Sequence, residues 1–268
     1  MNWETLNIQQ FTQAVKDSKG VCLVPIGCIE KHGDHLPLGT DLFFGRDVCL
    51  RAAAMETAVV FPSYPFGQVS EVRHYMGAVA LEANLQMELM QALCDEIARN
   101  GLDKIILVCS HGGNTHMLRY FAQSQLDKRR DYTVYAHIPN FSHEMTIHLN
   151  AKYGAPQGEG GGHADINETG FIMSISESLV AMENLQVEQT QPQGNLKHLH
   201  NAYTGLHFYG DYPHHVAGDP TGATAERGAA WRDFFVNDLV ATIQSIKLND
   251  NAANLQHEFF DMADKPGA

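Results

Sequence analysis

Three near-continuous apolar runs constrain this chain more than any other feature: Val21–Ile26, Lys104–Cys109 and Tyr132–Ile138. A shorter run, Ala58–Phe61, is closed by Pro62. Strands that are apolar along their whole length must be covered on both faces. Segments with helical periodicity separate them, which implies an α/β fold with a parallel sheet covered on both sides. Asn7 is placed to cap a helix carrying Ile8, Phe11 and Val15, with Gly20 at its end. Residues 43–58 read as helical and 62–77 as a surface loop. Asn84 is placed to cap an amphipathic helix with Leu85, Leu89, Leu93 and Ile97 on its buried face. Further helices are expected from Asn114 to about Arg130, through Phe171, Ile172, Ile175 and Leu179, and from Ala225 to about Lys247. The tail, residues 250–268, is expected to fray in part. No repeat or linker divides the chain, so residues 1–268 read as one domain.

Where the first strand ends, metal-type donors crowd together in Glu30-Lys31-His32-Gly33-Asp34-His35-Leu36-Pro37-Leu38-Gly39-Thr40-Asp41. Gly33, Pro37 and Gly39 allow the backbone to bend so that donors converge. The second strand ends at Ser110-His111-Gly112-Gly113-Asn114. Open parallel sheets bind ligands beyond the carboxyl ends of their strands, so both blocks fall where a site is expected. A third segment, His163-Ala164-Asp165-Ile166-Asn167-Glu168-Thr169, follows the Gly-rich stretch Gly154–Gly162 and offers the carboxylate of Glu168. Taken singly, each residue is an ordinary solvated loop group; three segments meeting at strand ends are not. Glu30, His32, Asp41, His111 and Glu168 are too many donors for one tetrahedral zinc. They suit two divalent ions bridged by a carboxylate and a water. Three carboxylates leave two dications with a residual of about +1, which a hydroxide neutralises. The donor chemistry suits Zn²⁺, Mn²⁺ or Fe²⁺. His74, His116, His137, His143 and His148 read as structural or surface groups. The irregular spacing of His198, His200, His207, His214 and His215 reads as a flexible loop.

Composition excludes several classes. A net charge of −13 repels nucleic acid and anionic membranes. No apolar run approaches a membrane span, and no secretory signal opens the chain. Five cysteines without a C-x-x-C pair read as reduced core thiols, and a cytoplasmic location is expected. Cys28, beside the donor block, reads as buried packing rather than as support for a site. Gly-x-Ser-x-Gly and His-Glu-x-x-His are absent, and no phosphate-binding Gly-rich loop opens a helix after the first strand.

Four blocks resemble the creatininase (creatinine amidohydrolase) family: Pro25 through Asp41, Ser110–Asn114, His163–Thr169 and Gly218-Asp219-Pro220-Thr221-Gly222-Ala223-Thr224-Ala225. The resemblance implies a three-layer αβα fold with a mostly parallel central sheet and a dinuclear zinc or manganese site. It also implies hydrolysis of a non-peptide C–N bond, in a cyclic amide or formamide of a small molecule, by a homo-oligomer such as a hexamer. By the same resemblance Glu30, Asp41 and His111 hold one ion, with Asp41 bridging. His32 and Asp41 hold the second, which Glu168 completes, and His163 is the catalytic histidine. The implied chemistry is attack by a metal-bridged hydroxide, with His163 giving a proton to the leaving nitrogen. Asp34, His35 and Asn114 are candidates for supporting contacts to the ligands. Two departures from the family pattern bear on substrate. Creatininase has a His-x-Glu in the second block, where this chain has Gly113, and it places tryptophans before the catalytic histidine, where this chain has Gly158–Gly162. Creatinine is therefore not the expected substrate; relatives with the His-Gly-Gly-Asn form include formamide hydrolases of pyrimidine-nucleotide biosynthesis and peptidases that mature redox cofactors. Two rival readings are a catalytically silent binding protein on the same fold and a dinuclear phosphohydrolase. Against the latter, few cations lie near the donor blocks: Lys31, Arg46, Arg73 and Arg119.

Overall fold

The computed structural model describes residues 1–139, 143–156, 162–265 and 267. The core of the Gly-rich stretch, 157–161, lies outside the described residues.

Helix α1 (Ile8–Asp17) starts at Asn7, whose side chain accepts from the Gln10 N–H while the Gln10 side chain accepts from the Asn7 N–H. This reciprocal box satisfies two otherwise orphaned donors. Lys19 and Gly20 take left-handed backbone conformations and turn the chain into β1 (Val21–Ile26). Helix α2 (Thr40–Met55) and the two-residue strand β2 (Val59–Val60) follow. Next come α3 (Ala83–Arg99), β3 (Lys104–Cys109), α4 (Asn114–Ser124) and β4 (Thr133–His137). The C-terminal half is helical among the described residues: α5 (His143–Tyr153), α6 (Ile166–Ile175), the short α7 (His207–Asp211), α8 (Ala225–Leu248) and α9 (Asn251–Ala263).

The strands form one parallel sheet in the order β2-β1-β3-β4. Val21 lies opposite Lys104 and Lys104 opposite Thr133, so all carboxyl ends point to one edge. β1 is central yet contains Pro25. Beside Pro25 the regular part of β2 has already ended, and Tyr64 donates to the Pro25 carbonyl from an irregular segment. The missing proline donor thus falls where the ladder has given out. Alternate strand residues feed two separate cores. Val21, Leu23, Val60, Ile106 and Val108 pack under α2, α5, α6 and α8, whereas Cys22, Val24, Ile26, Ile105 and Leu107 pack against α1, α3 and α4. The result is the three-layer αβα arrangement. No helix among the described residues is long and apolar enough to cross a membrane.

Several local expectations are corrected. Ile8 is exposed, so α1 buries Ala14 instead. On α3 the buried stripe is Gln86, Met90, Cys94 and Ile97, while Leu85 and Leu89 face outward, and the helix begins before Asn84. Gln86 sets that rotation, because its amide donates to the buried Gly67 carbonyl at 2.7 Å. Segment 62–77 is not confined to the surface; Tyr64, Gly67, Val69 and Val72 are buried beneath the site. Apart from these corrections, the tail carries α9 over Asn251–Ala263, held by buried Phe260 and by Arg129, which pairs with Asp261 at 2.6 Å.

Candidate metal centre

Each donor is delivered by the edge where strands end. Glu30 and His32 lie just past β1, in a loop closed by Glu30 N–H to Leu38 O (3.0 Å) and by Gly33 N–H to His215 O (2.9 Å). Gly33 has φ +60°, and a Cβ there would collide with the His35 ring and Val216. Asp41 is not a loop residue. It sits in the first turn of α2, where the helix dipole favours a carboxylate. His111 lies two residues past the end of β3. Glu168 occupies the first turn of α6, whose N-cap Asp165 accepts from the Asn167 and Glu168 N–H groups. An antiparallel bridge between His163 and Ala217 ties this block to the segment holding His215.

The structure brings Glu30, His32, Asp41, His111, His163 and Glu168 together. His111 Nδ1 lies 2.9 Å from Glu30 Oε1 and 3.0 Å from Asp41 Oδ2. His32 Nε2 lies 3.3 Å from Asp41 Oδ1 and 3.8 Å from Glu168 Oε2. The two oxygens of Asp41 therefore face two different donor groups. The His32 and His163 rings stack at 4.2 Å. Backbone carbonyls fix the outer imidazole nitrogens: His111 Nε2 on Gln68 O (2.8 Å) and His163 Nε2 on Lys31 O (2.9 Å). With Nε2 donating, Nδ1 of each neutral ring carries a lone pair, which in His111 is aimed at two carboxylates. A lone pair against carboxylates is repulsive unless a proton or a metal ion lies between them. Buried Glu30 Oε1 and His32 Nε2 also have no hydrogen-bond partner. The donor set thus fits divalent cations.

The electrostatics agree. Burial opposes ionisation of Glu30 and Asp41, yet the facing imidazoles hold both carboxyls below the usual range. Burial opposes protonation of His32, but Asp41, Glu168 and Glu30 raise it to about 9. Burial opposes protonation of His111 too, but Cys28, Glu30 and Asp41 raise it. Burial, with Asp41 adding to it, pushes Glu168 up to about 8, and burial together with the His32 charge lowers His163 to about 3.

The supporting residues are placed differently from one another. Asn114 is fully buried; its amide donates to Ile26 O, and its oxygen accepts from the Gln68 N–H. It therefore braces the residue whose carbonyl holds His111. His35 bonds Thr169 Oγ1 at 3.0 Å, next to Glu168. Asp34 is half exposed and pairs with Lys31 at 2.8 Å rather than with an imidazole of the cluster, because Gly33 turns it outward. One site residue, His215, departs from its sequence reading, and one, Cys28, is buried as read but also contacts a donor. His215, assigned to a flexible loop, is buried with Nε2 3.1 Å from Glu30 Oε2. Its one available signal was its place directly before the apolar pair Val216-Ala217, ahead of the Gly218-Asp219-Pro220 block. Cys28 is buried, and its Sγ donates to Asp41 Oδ2 at 3.1 Å.

A cavity of about 400 Å³ opens onto Glu30, Asp41, His111, His163 and Glu168, walled by Tyr203, Phe208 and Tyr212. A second, of about 470 Å³, reaches His111 and Glu168 from the side of Phe44, Met145 and Trp231.

Fold and site together define an α/β protein with a carboxylate–imidazole cluster at the carboxyl edge of a parallel sheet. The family model described as creatininase, creatinine amidohydrolase, matches residues 4–243, and the chain belongs to this family. It is 28% identical over 234 residues to a mycofactocin precursor peptide peptidase of Mycobacterium ulcerans, covering 82% of this chain and 83% of that one. It is 25% identical over 154 residues to the 2-amino-5-formylamino-6-ribosylaminopyrimidin-4(3H)-one 5'-monophosphate deformylase of Methanobrevibacter smithii, covering 56% and 58%. Among solved structures, creatininase superposes with a TM-score of 0.72 at 21% identity, covering 91% of this chain and 96% of that one. A structure described as creatininase Mn gives the same TM-score at 19% identity, covering 91% and 97%.

Proposed function

We propose that this protein is a metal-dependent amidohydrolase that opens a non-peptide C–N bond in a small-molecule amide, either a cyclic amide or a formamide. Two divalent ions, Zn²⁺ or Mn²⁺, would be held by Glu30, Asp41 and His111 and by His32, Asp41 and Glu168. The observation that carries this reading is the division of Asp41, with Oδ2 against His111 and Oδ1 against His32. Such ions supply an electrophile for the amide carbonyl and acidify water.

The chain's own groups do the rest. His163 rests neutral, and its Nε2–H is held by the Lys31 carbonyl, which leaves the Nδ1 lone pair facing Glu30 across 3.8 Å. A neutral imidazole has no proton to give at the outset. The proton that His163 delivers to the leaving nitrogen must first be collected during attack, so one ring serves as base and then as acid. Phe208 packs edge-on to the His163 and His215 rings and shields them from solvent. Gln68 O fixes the orientation of His111.

Creatinine fits poorly. Gly113 has no side chain to offer, Trp3 packs on Phe11 and Phe61, and Trp231, stacked on Phe44, borders the second cavity but not the one walled by Tyr203, Phe208 and Tyr212. Of the relatives, the deformylase's name favours a formyl group as the scissile unit, whereas the peptidase's name points to a peptide bond and makes short peptides the contrasting panel. The test is turnover by metal-free protein reloaded with Zn²⁺ or Mn²⁺, on parallel panels of formamides, lactams, short peptides and phosphoesters. Amide turnover that is lost in Asp41→Ala together with bound metal supports the reading. Full activity and unchanged metal content in Asp41→Ala, or turnover of phosphoesters alone, overturns it.

A further inference from the structure

We propose that Cys28 is an additional metal donor, completing with Glu30, Asp41 and His111 the ligand set of one divalent ion. The inference rests on the metal-centre reading above and adds to it a soft ligand.

Cys28 stands between the end of β1 and the donor block and has no exposed surface. Its Sγ is 3.1 Å from Asp41 Oδ2; that oxygen is 3.0 Å from His111 Nδ1, which is 2.9 Å from Glu30 Oε1. One donor atom from each of the four residues lies within 4.8 Å of all the others. Edges near 3 Å are what donors about 2.0–2.3 Å from a common centre make at near right angles. A second observation points the same way: Glu30 Oε1, in a side chain 1% exposed, has no hydrogen-bond partner and faces this group. Simple packing does not explain the sulfur. Cys28 does touch Val69 and Val72, but a methyl group would serve that contact. A hydrogen bond to Asp41 would be served equally by a serine hydroxyl. What a thiol alone brings is a polarizable donor.

On binding, the S–H bond breaks heterolytically, its electron pair stays on sulfur, and the proton leaves to solvent as the sulfur–metal bond forms. No electron is transferred. A thiolate in an otherwise hard carboxylate–imidazole set shifts preference from Mn²⁺ toward Zn²⁺ and Co²⁺.

The test titrates reduced, metal-free, full-length protein with Co²⁺ and follows the near-ultraviolet sulfur-to-cobalt charge-transfer band beside the visible d–d bands. Expected is a charge-transfer band that saturates with the d–d signal. It should persist in Cys109→Ser, whose thiol bonds the His111 carbonyl instead, and vanish in Cys28→Ser while d–d bands remain. In competition titrations Cys28→Ser should lower the Zn²⁺-over-Mn²⁺ affinity ratio by about tenfold. Stoichiometric Co²⁺ binding to the wild type without the sulfur band overturns the proposal and leaves the metal centre standing; this measurement needs no variant at position 28. An unchanged affinity ratio in a folded Cys28→Ser protein also overturns it. No Co²⁺ or Zn²⁺ binding by the wild type overturns the metal centre itself, and this donor with it.

Discussion

Gly170→Ala tests the packing that places Glu168. Gly170 lies in α6, two residues after Glu168, where α6 meets α8. A Cβ built on Gly170 would stand 2.5 Å from the Thr224 carbonyl oxygen, 3.0 Å from Gly228 N and 3.2 Å from Gly228 Cα. All three are backbone atoms, so no side chain can swing aside. Restoring ordinary contact, about 3.5 Å, requires α6 and α8 to part by roughly 1 Å. Two effects oppose each other. Helix propensity favours alanine over glycine by about 1 kcal/mol. Overpacking a tight contact costs about 1–3 kcal/mol, more where backbone must move. Packing should win, with a net loss of about 2 kcal/mol, or roughly 4–8 °C in Tm for a chain of this size. The displaced helix should also weaken metal binding through Glu168. Urea unfolding followed by circular dichroism reads the first effect and zinc titration the second. Gly205→Ala, whose Cβ would meet nothing within 4 Å, is the control. A higher urea midpoint in Gly170→Ala, with unchanged slope, would mean that propensity alone decides and that the contact is not tight.

Other outcomes follow from the same geometry. His32 (about 9), His111 (raised) and Glu168 (about 8) all hold protons at pH 7 in the metal-free protein, so Zn²⁺ binding should release protons and weaken as pH falls. Calorimetry in buffers of differing ionisation enthalpy measures the release, and no net proton change would refute it. Burial and the His32 charge lower His35 to about 4. The unfolded chain, titrating near 6.5, therefore binds more protons than the fold between these values, and stability should drop by about 3 kcal/mol as pH falls from 6.5 to 4. His35→Gln should remove that part of the slope in urea midpoints measured across the window. His215→Ala leaves Glu30 Oε2 without its imidazole partner and should weaken metal binding by about 10–100-fold; wild-type affinity in that variant would show the contact to be incidental.

The strands were legible because a buried parallel strand is apolar throughout, and only such a run can hold Val21–Ile26 with both faces covered. The rotation of α3 was not. Leu85 and Leu89 have the same spacing as Met90 and Cys94, and what selects between the two faces is the Gln86 contact to Gly67, a long-range bond invisible in periodicity. Asp41 was assigned to a loop because Gly39 and Pro37 precede it; yet Thr40 Oγ1 donates to the Pro37 carbonyl and the helix starts there. His215 was missed for a related reason. Its position follows from the His163–Ala217 bridge, a pairing of two irregular segments that no local pattern announces.

The protonation of the cluster shows why so much charge can be buried at one edge. Two ionised carboxyls, Glu30 and Asp41, face two protonated imidazoles, His32 and His111, while burial and the neighbouring Asp41 keep Glu168 neutral. An unpaired buried carboxylate would be prohibitive, but a carboxylate matched by an imidazolium is tolerable if the remaining lone pairs are met. In this cluster they are not all met: Glu30 Oε1 and His32 Nε2 lack hydrogen bonds. Two protons therefore do incompletely what two cations at the same points would do fully. That unmet electrostatic demand, more than the identity of any single ligand, is what suits this edge of the sheet to divalent cations. Removing one imidazole should accordingly damage the metal-free protein more than removing Cys28, whose thiol is neutral there.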